Sequence, residues 1–310
     1  MKLLSMKAGE EARAGIVIGE EVLDVTAFCG IITEKSPQVA VLLQSEYRDA
    51  LDLCEIAKPW LKVLVSRLTR NSDLAEECKE RGALVPLDEV ILNPPVIAPG
   101  KILAVGLNYS AHAAEQNIQP PASPLIFSKC TTALAGPNDD IVLPRISDMI
   151  DYEAELAVVI GREARSVKAE RALDYVAGYT IMNDVTARDL QRRERQWTRA
   201  KGLDTFAPCG PWLVTKDEIE DPHALSVKLY VNGELRQDST TGDLIFKVPE
   251  LIEFISQDLT LKPGDIITTG TPSGVGVFRE PPVFLKEGDH IEIEIERIGR
   301  LANPVIAQHD

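Results

Sequence analysis

The chain has 310 residues, 45% of them hydrophobic, which is enough to fill a large core with a smaller unit beside it and excludes a fold that depends on disulfide staples. Its 33 Lys+Arg stand against 48 Asp+Glu, a formal charge of -15, which argues against nucleic acid or an anionic membrane as a partner. A small anionic substrate stays open, because a bound cation inverts the local field whatever the net charge.

The chain opens with strand-like stretches at Lys2 to Met6, Ala14 to Ile18 and Val22 to Val25, then shows helical periodicity from about Pro37 to Leu68 through Val41, Leu42, Leu51 and Leu61. Pro86, Pro94, Pro95 and Pro99 follow. Proline removes backbone donors and disfavours helix before itself, so a boundary is expected near residue 95, between a small N-terminal α+β domain (1–95) and a larger domain (96–310). Beyond it short apolar or alternating runs dominate, the clearest being His290 to Glu296, with isoleucines on one face and acids on the other. Val231-Asn232-Gly233-Glu234 reads as a tight hairpin turn. One helix is expected from Pro249, with Leu251, Ile252, Ile255 and Leu259 on its apolar stripe. Strands outnumber helices, which predicts a mixed β fold, rolled or sandwich-like, with peripheral helices.

Cys29, Cys54, Cys78, Cys130 and Cys209 are scattered, without the Cys-x-x-Cys spacing of zinc or redox sites, as suits reduced thiols in a cytoplasmic protein. The N-terminal apolar stretch is too short for a signal peptide, and no run approaches the roughly 18 to 20 apolar residues that span a bilayer.

Four segments carry candidate chemistry. In Asp151-Tyr152-Glu153-Ala154-Glu155-Leu156 two acids enter an apolar strand. Residues two apart share a strand face, so Glu153 and Glu155 would hold their carboxylates side by side, a repulsive arrangement unless a proton or a hard cation lies between them. A solvated acidic face, as for Glu292, Glu294 and Glu296, is the alternative. Further on, Asp184, Arg188 and Gln191 lie at i, i+4 and i+7, on one face of a helix if one begins there. Asp184 would then be a third ligand, with Arg188 and Gln191 reaching for substrate oxygens; the competing reading is an N-cap aspartate paired with Arg188. His112 and Glu115, three apart, can form a dyad that takes a proton near neutral pH, or His112 can be purely structural. The polar stretch Gln116 to Ser123 reads as a mobile lid. Finally, the turn Gly270-Thr271-Pro272-Ser273-Gly274 can offer amides and hydroxyls to an anion or be a plain turn.

In order, these motifs resemble the fumarylacetoacetate hydrolase family over roughly residues 100 to 300. The matching residues are Gly106-x-Asn108-Tyr109-x-x-His112-x-x-Glu115, Asp151-Tyr152-Glu153-x-Glu155-Leu156 and Asn183-Asp184-x-x-x-Arg188-Asp189-x-Gln191. They continue with Lys201, Asp204-Thr205-Phe206-x-Pro208-x-Gly210-Pro211 and Gly270-Thr271-Pro272-Ser273-Gly274. Cys130 after Lys129 and Leu203 before Asp204 depart from the family pattern. The resemblance implies a β-roll catalytic domain and a homodimer. It also implies magnesium or manganese, with calcium admissible, on Glu153, Glu155 and Asp184, and a small 2-oxo acid as substrate. His112, Glu115 and Lys201 take catalytic roles by this likeness, and Arg188, Gln191 and Thr271 substrate-binding ones. The expected reactions are hydrolysis of a carbon-carbon bond in an acylpyruvate-type acid, then oxaloacetate-type decarboxylation or hydroxy-dienedioate isomerisation at the same site. A non-catalytic metal-binding protein is the reading from another class.

Overall fold

The computed structural model describes residues 1–35, 47–55 and 58–308. Most strands join one sheet, which runs from the edge strand Leu84–Pro86 through Glu21–Asp24, Glu11–Ile18, Lys2–Ala8, Ala207–Thr215 and Val176–Asn183. It continues through Ala154–Ile160, Ile266–Thr268 and Ile102–Gly106 to Leu125–Lys129. A five-stranded sheet, Glu234–Thr240, Ser226–Val231, His290–Ile295, Gly299–Ala307 and Ile141–Leu143, packs its apolar face on the first. This is the mixed β architecture with peripheral helices that the strand-rich pattern predicts.

Two strands show how burial decides composition. Ala154–Ile160 lies inside the large sheet and is buried at every residue, so its sequence is a nearly continuous apolar run. His290–Ile295 has one solvated face, and there Ile291, Ile293 and Ile295 alternate with Glu292 and Glu294. Asn232 and Gly233, at φ 53° and 78°, form the predicted hairpin turn between Ser226–Val231 and Glu234–Thr240.

The N-terminal strands extend the large sheet: Lys2 faces Val214, Leu3 faces Leu213, and the terminal ammonium donates to Thr215 Oγ1 at 2.6 Å. The sheet therefore crosses the boundary expected near residue 95. Part of the helix expected over 37 to 68, including Val41 and Leu42, lies outside the described residues. Inside them, Tyr47–Asp49 is not helical; Asp49 Oδ1 accepts from the amides of Leu51 and Asp52 and starts the short helix Ala50–Glu55, and a second helix spans Lys58–Arg70. The helix expected from Pro249 spans Val248–Asp258, with Leu251, Ile252 and Ile255 buried. Its entry is fixed by Glu250 Oε2, which accepts from the Lys247 amide at 2.7 Å. Leu259, expected on the stripe, lies past the last turn and is 47% exposed. Cys29, Cys78 and Cys209 are buried free thiols, Cys54 is buried, and Cys130 is an exposed free thiol. Among the described residues no helix is long and apolar enough to cross a membrane.

Candidate active site

The strands Ala154–Ile160 and Val176–Asn183 are antiparallel neighbours with Ala154 opposite Asn183, so Glu153, just before one, and Asp184, just after the other, leave the sheet at the same end. Two hydrogen bonds lock the pair: the Asp184 amide donates to the Glu153 carbonyl at 2.9 Å, and the Glu153 amide donates to Asn183 Oδ1 at 3.0 Å. Glu155 lies two residues on from Glu153. On its other side Ile266–Thr268 pairs with the same strand, and the turn that follows brings the Thr268 hydroxyl and the Gly270 amide, the latter at 2.8 Å, to Glu155 Oε2. Gly270 sits at φ 97°, and a Cβ there would meet Asn108 Cβ and Val105 O at 2.9 Å, so this close approach requires glycine. The result is that carboxylate oxygens of Glu153, Glu155 and Asp184, all buried, lie within 4.8 Å of one another.

Cations compensate this cluster unevenly. Lys201 Nζ donates to Glu153 Oε2 at 2.8 Å, Asp184 Oδ2 at 2.7 Å and Thr186 Oγ1 at 2.8 Å. Arg188 Nη2 lies 2.7 Å from Glu153 Oε1, its Nε donates to Asp151 Oδ2 at 2.8 Å, and Lys129 bonds Asp184 Oδ1. Burial opposes charge on Glu153, yet Lys201 and Arg188 outweigh it and bring its carboxyl down to about 2. Lys201 is likewise held protonated by Asp184 and Glu153 against its own burial. Glu155 differs: burial first, then the Asp184 and Glu153 charges, push it up to about 8, and among the described residues no cationic side chain forms an ion pair with it. Three buried carboxylates, one short of a counter-charge, fit a hard divalent cation, since the Glu153 and Asp184 oxygens each keep a second lone pair beyond their present bond and Glu155 takes both of its hydrogen bonds on Oε2.

The cluster forms the floor of a cavity of about 260 Å³, whose walls include Leu107, His112, Phe127, Trp197 and Phe278. His112 is buried on the short helix Ser110–Glu115, with Nδ1 3.1 Å from Glu115 Oε2, and Glu115 Oε1 accepts from the Gly274 amide at 3.0 Å. The Gln116 amide nitrogen lies 2.9 Å from His112 Nε2.

The fumarylacetoacetate hydrolase C-terminal family model matches residues 101–306. The chain belongs to the fumarylacetoacetate hydrolase family. It is 52% identical over 225 residues to an oxaloacetate tautomerase of Bos taurus, and 49% identical over 225 residues to one of Homo sapiens; each match covers 72% of both chains. Among solved structures, maleylpyruvate hydrolase from Sphingobium sp. SYK-6 superposes with a TM-score of 0.74 at 36% identity, covering 99% of this chain and 100% of that one. A 2-hydroxyhepta-2,4-diene-1,7-dioate isomerase from Mycobacterium marinum gives 0.72 at 33%, covering 100% of both. The protein is thus a family enzyme, of a group that holds tautomerases, isomerases and hydrolases.

His112, Glu153, Glu155, Asp184, Arg188, Gln191, Lys201 and Thr271 all line the cavity, with Glu115 bonded behind His112, but some details differ from the sequence expectation. Asp184 is not on a helix with Arg188 and Gln191. Thr186–Ala187 pairs with Ile150–Asp151 as a short strand, and the helix begins only at Arg188 and ends at Arg193. Arg188 therefore pairs with Asp151 and Glu153, not Asp184, and its Nη1 donates to Gln191 Oε1 at 3.0 Å. Thr271 lines the cavity and its Oγ1 accepts from Gln237 Nε2 at 2.8 Å. The glycine-rich turn spends its amides on the protein's own carboxylates: Gly270 on Glu155, Gly274 on Glu115, and Gly276 and Val277 on Asp151. Lys129 carried no sequence role, though a lysine closing the apolar strand Leu125–Lys129 was a signal; it is fully buried, and desolvation lowers its pKa against the pull of Asp184. Asp151 and Gln237 were missed as supports, because their partners lie 37 and 34 residues away in Arg188 and Thr271.

Proposed function

We propose that this enzyme interconverts the keto and enol forms of a small 2-oxo acid of the oxaloacetate type, at a divalent cation, magnesium or manganese, held by Glu153, Glu155 and Asp184. The observation that carries this reading is the meeting of those buried carboxylates with Lys201 and the His112–Glu115 pair around one cavity. Such a cation, when bound, supplies the positive charge that stabilises an enolate.

The chain's own groups supply the rest. Lys201 spends its three protons on Glu153, Asp184 and Thr186, so it fixes the carboxylates and adds positive charge near the reacting oxygen without acting as a base. His112 is the proton carrier. With Nδ1–H directed at Glu115, its Nε2 faces the cavity as an acceptor, takes a proton from C3 of the keto form and delivers it to the C2 oxygen to complete the enol, the reverse order restoring the ketone. The Gln116 amide on Nε2 must swing aside first, a movement open to a residue at the start of the polar stretch Gln116 to Ser123. Arg188, Gln191 and Thr271 orient substrate oxygens. The tautomerase names of relatives near half identity support this choice of reaction.

Hydrolysis of an acylpyruvate-type acid is the second reading, favoured by the firmly held His112–Glu115 dyad, which can equally take a proton from water, and by the likeness to a maleylpyruvate hydrolase. Oxaloacetate decarboxylation draws on the same enolate. A homodimer in a reducing, cytoplasm-like compartment, without nucleic-acid or membrane partners, completes the proposal. Manganese-loaded protein is expected to accelerate the loss of enol absorbance from oxaloacetate. Cleavage of acylpyruvates without that effect would move the reading to hydrolysis, and turnover of neither with metal bound would leave a metal-binding protein.

A further inference from the structure

We propose that Arg192 selects dicarboxylic substrates by binding the carboxylate at the far end of the 2-oxo acid, a step that rests on the reading of the site given above. Four basic side chains line the cavity: His112, Arg188, Arg192 and Lys201. Three are committed, His112 to Glu115, Arg188 to Asp151 and Glu153, and Lys201 to Glu153 and Asp184. Among the described residues Arg192 forms no ion pair and no side-chain hydrogen bond, although its neighbours Arg193 and Arg199 both pair with Glu194. Arg67, Arg70 and Arg195 likewise form no ion pair among the described residues; what singles out Arg192 is its place on the wall of the cavity.

Its position follows from the helix Arg188–Arg193. Residues four apart lie on one face, so Arg192 stands about one turn, roughly 5 to 6 Å, from Arg188, which reaches down to the acidic floor. Arg192 itself is exposed. The cavity therefore has a polar floor, an apolar middle in which Phe127 and Trp197 meet edge to face at 5.3 Å, and a single free guanidinium on the solvent side. A 2-oxo acid bound by its carboxylate and ketone at the floor directs its other end toward that group. For an alkyl tail the apolar wall suffices. A second carboxylate matches the planar fork of arginine, which offers paired N–H donors. The competing account is an arginine that is merely solvated, which gives no discrimination between tails.

The test compares substrates that differ only at the far end: oxaloacetate against 2-oxobutanoate, where a methyl replaces the distal carboxylate. Exchange of the C3 protons into deuterium oxide, followed by NMR with manganese-loaded protein, reads enolisation of both. Arg192→Gln is expected to lower the preference for oxaloacetate in kcat/KM about tenfold, through KM, as fits one lost charge-assisted hydrogen bond, while Arg192→Lys, a point charge without the fork, falls in between. Because Arg192 is exposed and unpaired, its replacement leaves no buried partner behind. An unchanged preference overturns the assignment. If the unaltered protein exchanges neither substrate, the tautomerase reading fails, and calorimetry with 2-oxoglutarate against 2-oxopentanoate still decides the matter for Arg192. Tighter binding of the dicarboxylate, lost in Arg192→Gln, supports it, and equal binding overturns it.

Discussion

Two stretches of this chain carry the same short pattern of acids two apart on a strand, Glu153-Ala154-Glu155 and Glu292-Ile293-Glu294, and they end in opposite situations. In the second, the acids line the solvated face of the smaller sheet, where His290 and Arg300 bond Glu292 and nothing is buried at a cost. In the first, the strand lies inside the large sheet, neighbours on both sides deny the acids water, and Asp184 adds a third negative group. Spacing decides that two side chains share a face; the layer in which the strand sits decides whether sharing it is harmless or demands a cation.

The buried pair depends on its counter-charges, so the largest expected effect comes from removing one. Lys201→Met leaves Glu153 and Asp184 without their shared ammonium, and loss of one partner of a buried ion pair costs about 3–5 kcal/mol, to be read from the urea midpoint of metal-free protein. Manganese, by compensating the same carboxylates, is expected to restore part of the loss; a midpoint unmoved by the substitution would mean that the floor is far wetter than its burial indicates. Next comes Glu155→Gln, which removes one proposed ligand and should weaken manganese binding at least about a hundredfold in calorimetry, with the fold retained because Thr268 and Gly270 can bond the amide oxygen. Undiminished affinity would take Glu155 off the ligand set.

How much of this contrast the sequence discloses is uneven, for physical reasons. The site acids, the dyad and Lys201 are legible because their order along the chain matches a family pattern, and the sheet-rich fold follows from period-two runs and turn residues such as Asn232-Gly233. The i, i+4, i+7 spacing of Asp184, Arg188 and Gln191 allows a helix through all three; the pairing of Thr186–Ala187 with Ile150–Asp151, a long-range contact, prevents it. The roles of Lys129 and Asp151 were illegible for the same reason. Each is made by a partner, Asp184 or Arg188, that only the folded sheet brings near. The glycine-rich turn was legible as a set of free amides, but not as the support of the protein's own carboxylates.

A gentler way to sharpen the comparison is pH. Glu155, raised from an ordinary 4.5 to about 8, is protonated in the metal-free folded chain at pH values where the unfolded chain has already lost that proton. Its contribution to stability therefore declines as pH rises through that window and levels off above it. Metal binding has the opposite slope, because the ion must displace the proton: manganese affinity is expected to climb by up to about tenfold per pH unit below this pKa and to flatten beyond it. Calorimetry in buffers of different ionisation enthalpy would count the released proton. Glu155→Gln should abolish that release, and its persistence would assign the proton to another group.

The smallest effect belongs to the solvated acids. Glu294 is exposed beside Glu292 with Lys228 and Arg300 as its cross-strand neighbours, and among the described residues it forms no ion pair with either, so Glu294→Gln exchanges one hydrated group for another and should shift stability by no more than about 0.5 kcal/mol. Manganese affinity and its pH slope should match those of the unaltered chain. The weight of this near-null result lies in what it isolates: Glu155→Gln and Glu294→Gln are the same chemical change on strands with the same spacing, so the difference between them measures what burial and the convergence of three carboxylates add. A Glu294→Gln variant that lost manganese affinity would show that long-range charge, and not the buried convergence of three carboxylates, governs the ion.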